Sequence, residues 1–344
     1  MSISRLMQMG AAGGESEIVP LLAVAHTTSP FITIYNQKID TFTKLANPAT
    51  LPPNTGNGVA FSSDDTYMAV AHETSPFITI YKRSGDTFTK LANPATLPAG
   101  ISYGVAFSSD DTYMAVAHIT SPFITIYKRS GDTFTKLANP APLPTGIGNG
   151  VAFSGDNTYM AVAHTTSPFI TIYKRSGDTF NKLNNPATLP TGIGKAVAFS
   201  SDDTYMAVAH ETSPFITIYK RSGDTFTKLA NPATLPGGTG NGVAFSSDNT
   251  YMAVAHIASP FINIYKRSGD TFTKLANPAT LPPFFGYGVA FSSDDTYMAV
   301  VHFSSPYITI YKRSGDTFTK LANPATLPTG IGLGVAFSNT GFPQ

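Results

Sequence analysis

Short apolar runs alternate with polar turn segments throughout the chain. One representative stretch, residues 58–103, holds four such runs at 59–62, 67–72, 77–82 and 87–91. These runs are rich in Val, Ile, Phe, Tyr and Thr, which are typical of strands. The segments between them contain Ser/Asp, Thr/Ser/Pro, Ser/Gly and Asn/Pro clusters, and a proline lacks the N–H that a helix interior needs. The pattern predicts a four-stranded antiparallel meander without helices.

This stretch is one copy of an internal repeat. The chain has seven histidines, and each lies 46 residues from the next: His26, His72, His118, His164, His210, His256 and His302. The surrounding sequence repeats with few changes, and no residue is inserted or deleted between copies. A sustained period of this length indicates a solenoid, a propeller or another repeat array.

The pattern within each run decides between these architectures. Met68 and Val70 are predicted to lie on one face of their strand, and Tyr67, Ala69 and Ala71 on the other. Each small sheet therefore needs cover on both faces, which neighbouring sheets supply when they stack radially. The chain is predicted to be all-β, a seven-bladed β-propeller in which each large apolar side chain buried between blades contributes roughly 1.5–3 kcal/mol.

The two ends of the repeat region predict how the ring closes. The first copy lacks the GVAFS strand, whereas the C-terminus carries an additional one at residues 334–338. We expect one C-terminal strand to join three N-terminal strands in the seventh blade, at residues 335–338, 22–26, 31–35 and 41–45. This closure would hide strand edges that invite aggregation. Residues 21–344 are predicted to form one domain, and residues 1–20 an arm outside the repeat.

The amino-acid composition argues against several classes of function. The 344 residues include 22 Lys and Arg against 21 Asp and Glu, with no Cys. A net charge of +1 argues against nucleic-acid binding, which depends on neutralising phosphates. Without cysteine there are no disulfides and no thiolate nucleophiles or ligands. No apolar stretch approaches the roughly 20 residues of a membrane span, and the N-terminus lacks the pattern of a cleavable signal. We expect no membrane insertion and no cofactor.

The repeat resembles a known group of propellers. The segment VAFSSDDTYMAVAH followed by ITIYK resembles repeats of the WD40 family and of the related YVTN-type and lactonase-type propellers. Two features depart from WD40 repeats: Tyr81-Lys82 stands in place of Trp-Asp, and no Gly-His pair precedes the first strand. The resemblance implies that GVAFS is the innermost strand. It also implies that the loops before the first strand and after the second share one face, here named the top face.

The seven copies differ mainly on the predicted top face. The KRSGD corner on the opposite, bottom face is identical in six copies, but the loop before the first strand varies. In chain order that loop reads PNTGN, AGISY, TGIGN, TGIGK, GGTGN, PFFGY and TGIGL. Loops tolerate change in general, yet only one face has diversified. We therefore predict a recognition surface on the top face.

The candidate binding residues are the varied ones with aromatic, apolar or charged side chains. Four aromatics are predicted to cluster in one rim sector: Phe284, Phe285, Tyr287 and Phe303. A smaller apolar pair and three charged residues complete the set: Tyr103 and Ile119, with Glu73, Glu211 and Lys195. Grouped aromatic rings suit a sugar face or an apolar side chain of a partner. Alternatively, Phe284 and Phe285 fill a gap between blades, and the charges are solvated rim residues.

The remaining polar residues have structural interpretations. A catalytic zinc needs about three converging ligands, whereas the seven histidines lie on different blades, so each is expected to bond a loop carbonyl or hydroxyl. The repeated Asp pairs, such as Asp64 and Asp65, lack calcium-loop spacing and are expected to form turns. No GxSxG, HExxH or phosphate-loop motif is present. The sequence therefore favours a non-enzyme, although the lactonase-type resemblance leaves an enzyme open.

A functional hypothesis follows from the N-terminal residues. The opening MSISRLMQMGAAGG resembles the start of some bacteriophage virion proteins. It suggests a tail appendage, spike or capsid decoration that recognises a host glycan or protein and docks on an assembly partner through residues 1–20. The expected location is the virion surface or outside the cell, otherwise the cytoplasm. An intracellular WD40-like scaffold and a free-standing lectin are the alternatives.

Overall fold

The computed structural model describes residues 20–339, which form 28 strands. The seventh blade begins with β1 (Leu21–His26), β2 (Ile32–Lys38) and β3 (Thr41–Lys44). The first and second blades are β4 (Gly56–Phe61), β5 (Tyr67–His72), β6 (Ile78–Ser84), β7 (Thr87–Lys90), β8 (Ser102–Phe107), β9 (Tyr113–His118), β10 (Ile124–Ser130) and β11 (Thr133–Lys136).

The third, fourth and fifth blades are β12 (Gly148–Phe153), β13 (Tyr159–His164), β14 (Ile170–Ser176), β15 (Thr179–Lys182), β16 (Gly194–Phe199), β17 (Tyr205–His210), β18 (Ile216–Ser222), β19 (Thr225–Lys228), β20 (Gly240–Phe245), β21 (Tyr251–His256), β22 (Ile262–Ser268) and β23 (Thr271–Lys274). The sixth blade is β24 (Gly286–Phe291), β25 (Tyr297–His302), β26 (Ile308–Ser314) and β27 (Thr317–Lys320), and β28 (Gly332–Phe337) completes the seventh.

The strands form seven separate antiparallel sheets of four, and in six of them the strands follow one another in chain order. The innermost strands adjoin one another around a common axis. The predicted all-β, seven-bladed propeller is therefore confirmed. Strand bounds differ slightly: the innermost strand begins at Gly56, before the predicted start, and the third strand begins at Ile78. Phe77 has φ of 66°, in the left-handed region that does not continue a strand.

Closure of the ring follows the prediction. In the seventh blade the strand order is β28-β1-β2-β3, and Val335 pairs with Val24. The backbone N–H of Leu21 donates to the Ser338 hydroxyl at 2.8 Å, and the Ser338 N–H donates to the Leu21 carbonyl at 2.9 Å. One C-terminal strand thus completes a blade that three N-terminal strands begin.

The core consists of seven similar layers between adjacent blades. In one of them, Tyr67, Ala69 and Ala71 of β5 pack against Met114 and Val116 of the next blade. All five side chains are almost completely buried. Both faces of the second strand are therefore covered, as the apolar pattern predicted, because a blade can bury its two faces only against its neighbours.

Polar contacts join the blades on the bottom face. The Tyr67 hydroxyl donates to the Asp132 carboxylate of the next blade at 2.6 Å, and the Lys82 ammonium lies 2.9 Å from the same carboxylate. The Arg129 guanidinium lies 5.0 Å from the centre of the Tyr67 ring. Equivalent contacts recur between most blades. The uniform bottom corners thus serve inter-blade packing, and their opposite charges pair across the blade boundaries.

The Asp pairs are turn residues, as predicted. The Asp64 carboxylate accepts bonds from the Ser62 hydroxyl at 2.6 Å and from the Thr66 N–H at 2.9 Å. Asp111, the second member of the next pair, accepts the N–H groups of Ser63 and Asp64 across the blade boundary. One carboxylate therefore shapes its own turn, and the other fixes the turn of a neighbour.

Residues 1–19 and 340–344 lie outside the described residues, and almost all of the predicted N-terminal arm falls there. Docking of a partner through residues 1–20 stays a prediction. Residues 20–339 include no helix that could cross a lipid bilayer.

Candidate functional site

A β-bulge opens each innermost strand at the top face. In β4, Gly56 pairs with His72 and Gly58 with Ala71, so Asn57 is an additional residue without a partner on β5. The same shift occurs in all seven innermost strands. A bulge redirects its side chain and often lies beside an active site. Sequence reasoning missed this feature, although the flanking glycines in Gly-Asn-Gly are a signal for it.

Glycine after the bulge lets the innermost strands approach closely. A Cβ added to Gly58 would lie 2.6 Å from the Tyr103 carbonyl oxygen of the next blade, and one added to Gly334 would lie 2.8 Å from the Asn57 carbonyl oxygen. Six blades have glycine here, and the fourth has Ala196. The backbone therefore packs tightly around the axis, and the bulged side chains define the space above it.

The bulged side chains line an axial pocket of about 490 Å³. In order around the ring they are Asn57, Tyr103, Asn149, Lys195, Asn241, Tyr287 and Leu333. A second ring of lining residues, the valines exemplified by Val59, belongs to the same strands. The strands that build the pocket are nearly identical in sequence. The seven bulged residues therefore account for the chemical differences between the sides of the pocket.

These seven residues give the axial pocket a polar side. Lys195 lies between Asn149 and Asn241, and the two tyrosines follow, one on each side. Leu333 stands across the ring. Lys195 is the only charged residue that lines the pocket, and within residues 20–339 it forms no ion pair. An anionic group that enters the pocket would therefore meet one unpaired cation.

The asparagines fix the strands that carry the other polar residues. The Asn149 side-chain N–H donates to the Gly194 carbonyl at 2.8 Å, directly before Lys195. Asn57 donates to the carbonyl before Tyr103 at 3.0 Å, and Asn241 to the one before Tyr287 at 2.9 Å. Each amide keeps a second N–H and its oxygen for a ligand. Asparagine thus alternates with tyrosine or lysine, and each amide positions the next member of the ring.

The electrostatics of the pocket favour stabilisation of negative charge. Burial raises the pKa of Tyr287 above its usual value, so its hydroxyl stays protonated at neutral pH and can donate a hydrogen bond. The Lys195 ammonium supplies a full positive charge. Together with the free amide N–H groups, these donors can bind a carboxylate or a developing oxyanion.

The histidines lie outside the pocket. Each is completely buried, and six of them bond a threonine hydroxyl on the third strand, as His72 does with Thr79 at 2.9 Å. His256 contacts Asn263 instead at 3.3 Å. Burial lowers the pKa of every histidine to about 4. The predicted structural role is confirmed: the hydroxyl partners lie on the third strand, and the other ring nitrogen of His302 contacts the loop carbonyl of Ser304 at 2.8 Å. In the described part of the chain no three His, Asp or Glu residues group as metal ligands.

Three of the predicted rim aromatics do cluster. The ring centres of Phe284 and Phe285 lie 4.1 Å apart, and Phe303 lies 5.6 Å from Phe284. Phe261, from the turn of the preceding blade, joins them at 5.9 Å from Phe284. Phe284 and Phe303 are 37% and 43% exposed. These four residues form the phenylalanine cluster.

The other predicted site residues lie in two different places, the axial pocket and the ends of the second strands. The expected grouping of Tyr287 with the phenylalanines is wrong, because the bulge turns its side chain toward the axis. Tyr103 and Lys195 line the axial pocket for the same reason. Glu73, Glu211 and Ile119 follow the buried histidines at the ends of their strands and do not line the pocket. Tyr103 and Ile119 therefore do not form the predicted pair.

Comparison with known proteins identifies structural relatives only. No family model and no curated protein sequence matches this chain. Among solved structures, a Lactobacillus plantarum protein has a TM-score of 0.72 at 19% identity, covering 93% of this chain and 99% of its own. A Bacteroides uniformis protein that carries the provisional name 6-phosphogluconolactonase has a TM-score of 0.75 at 13% identity, with the same coverage. The periplasmic gluconolactonase of Pseudomonas aeruginosa has a TM-score of 0.69 at 14% identity, again with 93% and 99% coverage.

These similarities correct the functional predictions. The expected non-enzymatic virion-surface protein is wrong, as are its scaffold and lectin alternatives, because the similar propellers include proteins named as lactonases. The predicted seven-bladed propeller is confirmed, but two of these three similar structures carry lactonase names and none is named as a WD40 protein. Nothing in the comparisons supports a bacteriophage origin. Identities below 20% establish the fold alone.

Proposed function

We propose that this protein is a lactone hydrolase whose reaction takes place in the axial pocket. The observation that carries the proposal is the asymmetric ring of bulged side chains, with unpaired Lys195 between Asn149 and Asn241. In a molecule of nearly identical blades, this ring is where different chemical groups converge, as an active site requires. The lactonase names of similar propellers support the choice of reaction.

Lactone hydrolysis suits the groups in the pocket. A water oxygen bonds to the carbonyl carbon, negative charge develops on the carbonyl oxygen, and the ring C–O bond then breaks. One proton of the water ends on the released ring oxygen, which becomes a hydroxyl, and the new acid loses its proton to solvent. In this proposal the Lys195 ammonium stabilises the developing oxyanion, which is commonly the largest single catalytic contribution.

The other members of the ring orient the substrate. The free amide groups of Asn149 and Asn241 can bond substrate oxygens, and Tyr103 and Tyr287 on either side offer hydroxyl groups and flat ring faces. Leu333 gives the opposite side an apolar surface. This distribution favours an oxygen-rich lactone ring with its ester directed at Lys195, and sugar-acid lactones are the first candidates for that ring.

The experiment measures hydrolysis of D-glucono-δ-lactone and δ-valerolactone at constant pH by titration of the released acid, with the spontaneous rate subtracted. The wild-type protein is expected to accelerate at least one of them. Lys195→Gln removes the cation, and kcat/KM is expected to fall about 100-fold, the usual effect of losing an oxyanion donor.

Lys38→Gln is the matched control, because it removes the same charge from an exposed residue at the end of β2. Its kcat/KM should equal that of the wild type. A wild-type protein that accelerates neither lactone would overturn the proposed function. Equal activity of the Lys195→Gln variant and the wild type would remove Lys195 from the mechanism.

A further inference from the structure

Three of the four phenylalanines of the cluster lie at the end of the sixth blade from which Tyr287 enters the axial pocket. Gly286 pairs with His302 at the end of the β24–β25 ladder, and the Phe303 N–H donates to the Phe285 carbonyl at 3.1 Å, one step beyond it. Tyr287 follows Gly286 and lines the pocket. Only Gly286 therefore lies between Phe285 of the cluster and Tyr287 of the pocket wall. In an extended chain the Cα atoms of Phe285 and Tyr287 are about 7 Å apart.

The sequence of the sixth blade accommodates these rings. Phe284 occupies a position where five copies have glycine, and at Gly100 an added Cβ would lie 2.6 Å from the hydroxyl oxygen of Thr120. The sixth blade has Ser304 at the position of Thr120. Threonine is stiff at χ1, whereas serine lacks the γ-methyl group and rotates more freely. The first copy also accommodates a side chain at this position, where Asn54 donates to the Thr74 hydroxyl at 3.0 Å, but only the sixth copy has an aromatic residue there, which marks the cluster as a feature of this blade.

Exposure distinguishes the cluster from core packing. The large core side chains between blades are almost completely buried, whereas Phe284 and Phe303 keep 37% and 43% of their surface in water although they contact other rings. The exposed surface of these two side chains is apolar, and Phe285 of the same cluster lies two residues before Tyr287 of the pocket wall.

We propose that the phenylalanine cluster binds an apolar substituent of the lactone while the lactone ring occupies the axial pocket. This inference rests on the proposed function and specifies the substrate class: a lactone with an alkyl or aryl group beyond its ring. The polar side at Lys195 receives the ester, and the substituent leaves the pocket past Tyr287 to cover Phe284 and Phe303. Covering these rings removes apolar surface from water on both partners.

The test measures binding, so it does not depend on turnover. The two probes are the open hydroxy acids 5-hydroxydecanoate and 5-hydroxypentanoate, which share the carboxylate and differ only in the alkyl chain. Isothermal titration should show that the wild-type protein binds the longer acid about tenfold more tightly, the discrimination that a few contacting methylenes supply.

The double variant Phe284→Gly with Phe303→Thr should reduce this preference to about twofold. It gives the sixth blade the combination that the third blade has in Gly146 and Thr165, so the altered loop has a folded precedent in the same chain. Tyr307→Phe is the control: it restores the residue of the other six copies in the same blade and should keep the preference.

The outcomes separate this inference from the proposed function. Equal binding of the two acids by the wild type, or an unchanged preference in the double variant, overturns the inference even if δ-valerolactone is hydrolysed. A preference that is lost in the double variant supports the inference. Failure to hydrolyse any lactone overturns the proposed function and leaves the binding result to decide the apolar site.

Discussion

At the scale of single residues, the histidines illustrate how burial sets chemical behaviour. His72 bonds the Thr79 hydroxyl at 2.9 Å and has no exposed surface. Desolvation disfavours its charged form, which lowers its pKa to about 4 from about 6.5 in an exposed chain. Each copy repeats this environment. The seven histidines therefore act together on stability, although none of them lies in the axial pocket.

We predict that the protein loses stability between pH 6.5 and pH 4. Over this range the unfolded chain binds protons at the histidines while the folded protein does not, so the free energy of unfolding falls as the pH falls. Each histidine contributes a loss of up to about 3 kcal/mol, which is complete near pH 4. Because the seven sites share one environment, their losses act in the same direction.

Thermal unfolding followed by circular dichroism at pH 7.5, 6, 5 and 4 measures this effect. The melting temperature should be highest above pH 6.5 and should fall steeply on acidification. Returning an acidified sample to pH 7.5 serves as the control for irreversible aggregation. A melting temperature that stays constant down to pH 4.5 would contradict the prediction.

At the scale of the strand, the β-bulge directs a side chain that varies between copies into the axial pocket. Regular pairing would alternate the side chains of β24 between its two faces, but the additional residue redirects Tyr287 toward the axis. The asparagine of the preceding blade then holds the redirected strand. Lys195, Tyr103 and Tyr287 each follow a carbonyl that accepts such a bond. Asn149 is therefore a positioning residue for Lys195.

Asn149→Leu tests this role, because leucine already stands at the equivalent position 333 and fits the ring. Loss of the bond to the Gly194 carbonyl should loosen the strand before Lys195. We expect kcat for δ-valerolactone to fall about tenfold, since a misplacement of about 1 Å costs as much or more. The melting temperature should change little.

The same substitution at Asn93, an exposed residue of an outer loop, is the control and should leave kcat unchanged. Steady-state kinetics and thermal unfolding on both variants provide the comparison. Equal kcat values for Asn149→Leu and the wild type would show that the amide does not position Lys195.

At the scale of the whole molecule, one strand completes the ring. β28 pairs with β1, and its partly buried Val335 and Phe337 pack against the layer between the sixth and seventh blades. Asn339 adds a bond across to the first blade, because its N–H donates to the Asp65 carboxylate at 2.7 Å. The last described residues therefore hold the seventh blade to both of its neighbours.

Deleting residues 334–344 should destabilise the protein and cause self-association. The deletion exposes the edge of β1, which can pair with another chain, and removes apolar burial worth roughly 1.5–3 kcal/mol per large side chain. Thermal unfolding and light scattering after size-exclusion chromatography measure the two effects. A deletion of residues 340–344 alone keeps β28 and serves as the comparison. An unchanged melting temperature and a monomeric profile after the longer deletion would contradict the prediction.

The sequence by itself determined the strands, the blade number and the closing strand. Identical units with two apolar faces can bury both faces only against copies of themselves, so the period and the chain ends were sufficient. The buried histidines and the turn-forming Asp pairs were predictable for a related reason: their chemistry is local to one repeat.

Only the tertiary structure decided where the varied residues meet. Tyr103, Tyr287 and Lys195 appeared in the sequence as loop residues like Phe284, Phe303 and Ile119, and nothing in the pattern assigned them to the axis. A bulge changes side-chain direction without changing composition, and the axial pocket exists only when seven strands from distant parts of the chain converge. That convergence places some of the varied residues in the pocket and leaves others at the rim. No single repeat contains the information needed to predict this division.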